Sequence, residues 1–468
     1  MNPSIYRSYR DLPTVAGIAS IADAARIGFS IGDCVGHLKH QHWIFRRLNE
    51  IFIKRLPSEP VYELKMIYSL HAHYCTEHAA AWRKRVAEMR EPPLGLDHAP
   101  SAALDVVFDE LLAAPTTGAL LAGVYEVVLP ELRAALQRHM AETNRLVDHP
   151  SFRICRFALI EVEEMLSTGG KCVAQLLEPK DRPEVESWLA FLRGLIVQPE
   201  GVAIPPRRFS VIPPKFDPVP RRDERFPDPY NMGVHAEVFL YDETMPPEAK
   251  TLMMYYKRLR EIDVPEMMAS IIAETSGKPW DYTVDMTRQL WDEARHAMMG
   301  EVGFVRAGID WQKFVRVNFT WSLALNTQLK PLERHAVLYF IEQGLMPKSG
   351  KRFEWEVGVA SGDPFSAMIQ DYDWADEVLH ARIGRDWYVT EMGNSRKATE
   401  YGDQCWSRVL IDWNSYKEKG LTQHENWWPA LYREWCRVQG RTPEPRVLGY
   451  ATNYKTARAD LGEISVSG

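Results

Sequence analysis

Hydrophobic positions recur with a helical period through most of the chain. In the first half Val35, Leu38, Trp43, Phe45, Leu48, Ile51 and Phe52 are apolar. The turn Leu56-Pro57-Ser58-Glu59-Pro60 then leads into a second run from Val61 to Met89. A third run covers roughly Leu120 to Val147, and beyond Asp148-His149-Pro150 the pattern resumes from Phe152 to Leu166. Four helices are predicted. The second half repeats the plan: Leu252, Tyr255, Leu259 and Ile262 share one helical face, Ser276-Gly277-Lys278-Pro279 breaks it, and a long run covers Tyr282 to Val305. Runs from Ala324 to Leu345 and from Pro364 to Val389 predict the remaining two helices.

Nine prolines fall between Pro199 and Pro229, a density that neither a helix nor a central strand tolerates. The expected organisation is all-α: a helical bundle over residues 1–198, a linker over 199–231, a second bundle over 232–395 and an extension over 396–468. Leu129-Pro130-Glu131 and Lys330-Pro331-Leu332-Glu333 open corresponding helices, so the two bundles read as a tandem pair of four-helix units. Trp406, Trp413, Trp427, Trp428 and Trp435 enrich the extension, for which packing or a homodimer contact is the expected use.

Composition narrows the function. Apolar residues at 46% and charged residues at 25% are ordinary for a globular protein, and a net charge of −7 with interspersed signs offers no footprint for nucleic acid. No apolar run reaches bilayer length and no signal-peptide core precedes Val15, so a cytoplasmic protein without a membrane partner is expected. The cysteines at 34, 75, 155, 172, 405 and 436 show no short pairing, which signals neither a zinc site nor a disulfide framework.

Two segments carry the chemistry, Trp291-Asp292-Glu293-Ala294-Arg295-His296 and Ala375-Asp376-Glu377-Val378-Leu379-His380. Each reads Asp-Glu-x-x-His in the middle of a predicted helix, and residues three apart share a face, so the Glu and His can reach one metal ion together. Requiring the Asp lowers the chance expectation to on the order of 0.06, yet the motif occurs twice. Asp292 and Asp376 lie four residues before their histidines, where each could accept the second ring N–H. Leu290, Ala297, Gly300 and Phe304 share the stripe of Glu293, and Ile369, Gly384 and Trp387 that of Glu377, so these charges need a buried partner.

A bundle site wants one further Glu from each of two other helices. Measured in depth from the turn near Lys278, Glu266 matches Glu293 better than Glu261, although Pro265 should kink that helix and Asp263 with Glu266 could instead cap a helix start. By the same measure Glu333 matches Glu377, and Glu342 lies too near the helix end.

The two motif helices resemble the ferritin-like superfamily of di-iron carboxylate proteins over roughly residues 235–395. The resemblance implies a four-helix bundle, two iron ions (manganese in some members) and activation of oxygen. Its ligands would be Glu266, Glu293 and His296 with Glu333, Glu377 and His380. The first half looks like a degenerate copy, because Leu166 stands where a histidine should follow Glu163. His37, His40, His42, His71, His73 and His78 could still form a different metal site there, against an ordinary packing role.

Carboxylates with imidazoles suit Fe(II) or Mn(II). The expected activity is therefore an O₂-dependent oxidoreductase, an oxygenase or oxidase acting on a small molecule. With no GxGxxG fingerprint in the chain, its electron donor would be external. The alternatives are a metal-storing or scaffold bundle and, less naturally, a two-metal hydrolase.

Overall fold

In the computed structural model, which describes residues 6–90, 95–198, 203–411, 413–453 and 457, the predicted runs fall on helices. Helix accounts for 69% of the chain and no strand occurs among the described residues, so the class is all-α. No helix among them is long and apolar enough to cross a membrane. The chain forms two compact units, one comprising residues up to Phe52 with His71–Phe216, the other Ile53–Leu70 with everything from Asp217.

Helices α1 (Ile31–Arg55), α2 (Tyr62–Glu88), α3 (Ala102–Leu112), α4 (Thr117–Gly123), α5 (Leu129–Glu142), α6 (His149–Leu176) and α7 (Arg182–Ile196) precede the proline-rich stretch. A π turn at Val124–Val128 joins α4 to α5. Helices α3 and α7 were not among the predicted runs. They pack against each other, and Glu110 on α3 accepts hydrogen bonds from Trp188 Nε1 and from the backbone of Phe209 and Ser210.

In the second unit α8 (Pro247–Arg260) and α9 (Asp263–Glu274) meet at Glu261 and Ile262. They are followed by α10 (Trp280–Arg306), α11 (Thr320–Gln328), α12 (Pro331–Gly344), α13 (Lys351–Ala360), α14 (Pro364–Gly384), α15 (Ser395–Leu410) and α16 (Trp428–Val438). Two predicted single helices are in fact broken. Pro265 sits in the first turn of α9, where a backbone N–H has no intrahelical acceptor, so the chain restarts a helix there at little cost. Pro331 does the same at the start of α12, dividing the predicted Ala324–Leu345 run.

The site-bearing core is built by α10 packing on α8, α9 and α14, by α12 packing on α9 and α14, and by α13 packing on α8 and α14. Glycine sets the closest of these approaches. A Cβ on Gly300 would lie 2.3 Å from the Leu259 backbone nitrogen and 2.5 Å from the Tyr255 carbonyl oxygen, so α8 and α10 meet backbone to backbone. The tryptophans of the extension join the core: Trp428 is fully buried and donates to the Val447 carbonyl, and Trp427 packs edge-on against Tyr256. The side chain of Trp413 lies outside the described residues.

Gly300→Ala should therefore lose about 1–3 kcal/mol in chemical denaturation, because the helix pair must separate. Gly170→Ala, mid-helix and with open space around it, should instead be stabilising by about 0.5–1 kcal/mol.

Candidate metal centre

The two Asp-Glu-x-x-His helices, α10 and α14, pack side by side and bring their histidine rings to 5.9 Å between centroids. Both rings are buried and turn Nδ1 inward. Glu293 stands between them, with Oε1 3.1 Å from His380 Nδ1 and Oε2 3.6 Å from His296 Nδ1. Glu377 Oε2 lies 3.9 Å from His380 Nδ1. The structure thus brings together Glu293, His296, Glu377 and His380, since helical i, i+3 spacing puts each pair on the buried stripe.

Glu266 and Glu333 are not brought to this cluster, and both assignments need correction. Glu261 caps the end of α8 and reaches to 3.5 Å from His296 Nδ1, whereas Glu266 lies beyond the break, in the first turn of α9, and faces elsewhere. There it is fully buried against Lys65 Nζ at 3.0 Å and receives hydrogen bonds from Arg222 Nε at 3.0 Å and Ser322 Oγ at 2.6 Å. Glu333 lies in the first turn of α12, where it accepts the Lys330 backbone N–H at 2.7 Å and pairs with Arg408 at 2.9 Å. Glu342, at the far end of the same helix, enters the cluster instead, 4.0 Å from His380 Nδ1, and accepts a hydrogen bond from Gln289. The depth comparison failed because α13 intervenes between α12 and α14, so no simple turn relates them.

The orienting aspartates are also arranged differently from expectation. Asp376 faces His296 Nε2 at 3.1 Å and Asp292 faces His380 Nε2 at 3.4 Å, each serving the ring of the other helix. Arg295 joins the two, pairing with Asp292 and lying 2.7 Å from Asp376. With its Nε2 so engaged, each ring keeps Nδ1 for the centre.

Three residues that carried no sequence signal complete the surroundings. Asp373 Oδ1 lies 3.4 Å from His296 Nδ1. Lys351 Nζ, fully buried, lies 2.7 Å from Glu377 and 3.0 Å from Asp373, and Arg258 pairs with Asp373 and with Glu261. Glu261, Glu293, Glu342, Glu354, Asp373 and Glu377 set six carboxyls against the three fixed cations Lys257, Arg258 and Lys351, and the two imidazoles face the remaining acids.

Protonation responds to this crowding. Burial opposes charge on His380, but the carboxylates of Asp292 and Glu293 outweigh it and bring the pKa up to about 9. His296 is likewise raised well above its ordinary value by Asp376, Glu261 and Glu293 against the effect of burial. Burial and then the neighbouring Glu377 carboxylate push Glu342 well up. Glu261 is brought down to about 2, because Arg258 and Lys351 overcome its burial.

The donor set fits divalent cations on a direct observation. Glu261 Oε2, Glu293 Oε1, His296 Nδ1, Glu377 Oε2 and His380 Nδ1 are buried without a well-aligned hydrogen bond, and they converge on one another at 3.1–3.9 Å. The potential ligand atoms of Glu293, Glu342, Glu377 and His380 lie within 4.8 Å of one another, as do those of Glu261, Glu293 and His296. Orphaned buried polar atoms are costly, and a cation at each focus would satisfy them together.

A cavity of 320 Å³ opens on the cluster, with Glu261, Glu293, Glu342 and Glu377 on its wall. The rest of its lining is largely apolar, including Met267, Leu325, Ile341 and the stacked pair Trp321 and Trp406, whose ring centroids are 3.6 Å apart. Trp406 belongs to α15, so the tryptophan-rich extension contributes to the pocket as well as to packing.

No family model, curated protein or solved structure matches this chain. The reading of the centre therefore rests on its own geometry.

The histidines of the first half are used otherwise. His71 Nδ1 lies 2.7 Å from the Tyr125 hydroxyl and burial lowers its pKa to about 3, while His78 pairs with Glu161 at 2.7 Å. Among the described residues, His37, His40, His42, His71, His73 and His78 enter no metal-type grouping; the one in that unit is Cys34, His139 and Asp148.

Glu266→Ala should strand Lys65 and Arg222 in the core and cost about 3–5 kcal/mol in urea denaturation. Glu333→Ala removes a helix-start interaction and should cost no more than about 2 kcal/mol by the same measurement.

Proposed function

We propose that this chain is a ferritin-like di-iron carboxylate protein with two tandem four-helix units, the second active and the first degenerate, and that it is an O₂-dependent oxidoreductase, an oxygenase or oxidase of a small molecule. The observation that carries the reading is the convergence of buried oxygens and nitrogens of Glu261, Glu293, His296, Glu377 and His380 beside an apolar cavity.

Two iron ions, or manganese in their place, would be held by Glu261, Glu293 and His296 on one side and by Glu293, Glu342, Glu377 and His380 on the other, and would supply the electrons that reduce O₂. Glu293 can serve both, because its two oxygens face different imidazoles. Asp292 and Asp376 hold the rings in orientation, which keeps the ligand atoms aimed without further ordering. The apolar wall favours a substrate with a sizeable hydrocarbon or aromatic part. With no GxGxxG fingerprint in the sequence, the reductant would come from outside the chain.

Elemental analysis after anaerobic loading should find about two irons per chain. Glu293→Ala and His380→Ala should lose at least one each, and Glu342→Ala should weaken retention while Glu333→Ala leaves it unchanged. Loaded protein should consume O₂ when given a chemical reductant. Retention of both irons by the Glu293 and His380 variants would overturn the assignment, whereas iron binding without O₂ consumption would leave a metal-holding scaffold.

A further inference from the structure

The centre is not symmetric in charge. Around His380 Nδ1 stand Glu293 at 3.1 Å, Glu377 at 3.9 Å and Glu342 at 4.0 Å. Of these acids only Glu377 touches a fixed cation, Lys351, and it does so through its other oxygen. Around His296 Nδ1 stand Asp373 at 3.4 Å, Glu261 at 3.5 Å and Glu293 at 3.6 Å. Two of those three are already paired. Arg258 lies 2.9 Å from Glu261 and pairs with Asp373, while Lys351 Nζ lies 3.0 Å from Asp373 Oδ2 and 3.9 Å from Glu261 Oε1.

Both cations are fully buried and held in place. Arg258 is fixed by α8 and by Glu354 at 3.3 Å. Lys351 opens α13 after a tight turn in which a Cβ on Gly350 would lie 2.1 Å from the Leu345 carbonyl oxygen, and its own backbone N–H donates to that carbonyl. Neither side chain can withdraw to solvent when a divalent cation approaches, so their repulsion is built into the site.

We infer that the two halves of the centre bind divalent cations unequally: the His380 half with Glu342 fills first and tightly, and the His296 half fills second and weakly because Arg258 competes for Glu261 and Asp373, whereas Lys351 faces acids of both halves. This rests on the metal-binding reading above. Arg258 is then a positioning residue that sets how readily the second ion enters and leaves. At limiting metal the chain holds a single ion beside His380, and the complete pair forms only when free metal rises.

Anaerobic titration of the full metal-free chain with Fe(II), and separately with Mn(II), should resolve two calorimetric events at least about tenfold apart in affinity. Gel filtration should then leave one equivalent bound. Arg258→Met keeps an apolar stem and removes the charge, and should tighten the second event by about tenfold or more while moving the first less. In wild-type crystals soaked at graded Mn(II), the anomalous peak beside His380 should appear at the lower concentration, a measurement that needs no variant to fold. Two equal affinities in the wild type, a first peak beside His296, or a second affinity indifferent to Arg258→Met would each overturn the asymmetry alone. No uptake of either metal would bring down the metal-binding reading and this inference with it.

Discussion

The organising constraint of the second unit is an excess of carboxylates inside a helical core. Glu293, Glu342, Glu377 and Asp373 are all buried, and such groups cannot be stacked together without compensation. The compensation is divided. Lys351, Arg258 and Lys257 neutralise the side nearest α13, and two imidazoles face the remainder. Everything else near the centre either brings those groups together or keeps water from them. Gly300 permits α8 to approach α10 closely enough for Glu261 to reach His296, and the tryptophan pair lines the apolar side of the cavity.

A second network, built around Glu266, shows how similar residues are put to a different use. Glu266, Asp263, Lys65, Arg222 and Ser322 form a buried set in which the charges find direct partners within the chain. Here the cations are matched to the acids and no oxygen of Glu266 is left over. Arg222 comes from the proline-rich stretch, which thereby serves the core of the second unit instead of acting only as a connection. The difference between this network and the candidate centre lies in the glutamates: both oxygens of Glu266 are taken up by its neighbours, whereas Glu261, Glu293 and Glu377 each keep an oxygen without a hydrogen bond.

Much of this architecture was legible in the pattern of apolar residues. The helices that carry Glu293, His296, Glu377 and His380 were readable from their period, and the doubled Asp-Glu-x-x-His motif marked the two faces that meet. Asp292 and Asp376 were readable as partners of the histidines, but not which ring each serves, because a spacing of four residues describes one helix and the observed pairing crosses between two. Proline gave the less obvious signal. Pro265 restarts the helix, so counting residues through it as if the helix were continuous displaced one expected ligand from Glu261 to Glu266, and the intervening helix α13 displaced the other from Glu342 to Glu333.

The linear sequence by itself determined the all-helical class, the faces that must be buried and the four motif residues, since each follows from local periodicity along a single helix. Tertiary structure alone decided that Glu261, Glu342, Asp373, Arg258 and Lys351 surround those four, that the aspartates exchange partners, and that a tryptophan from the C-terminal extension lines the pocket. The reason is physical: the rotation and depth of one helix against another depend on where glycine allows close approach and where proline restarts the chain. Those quantities belong to the packed pair and not to either segment.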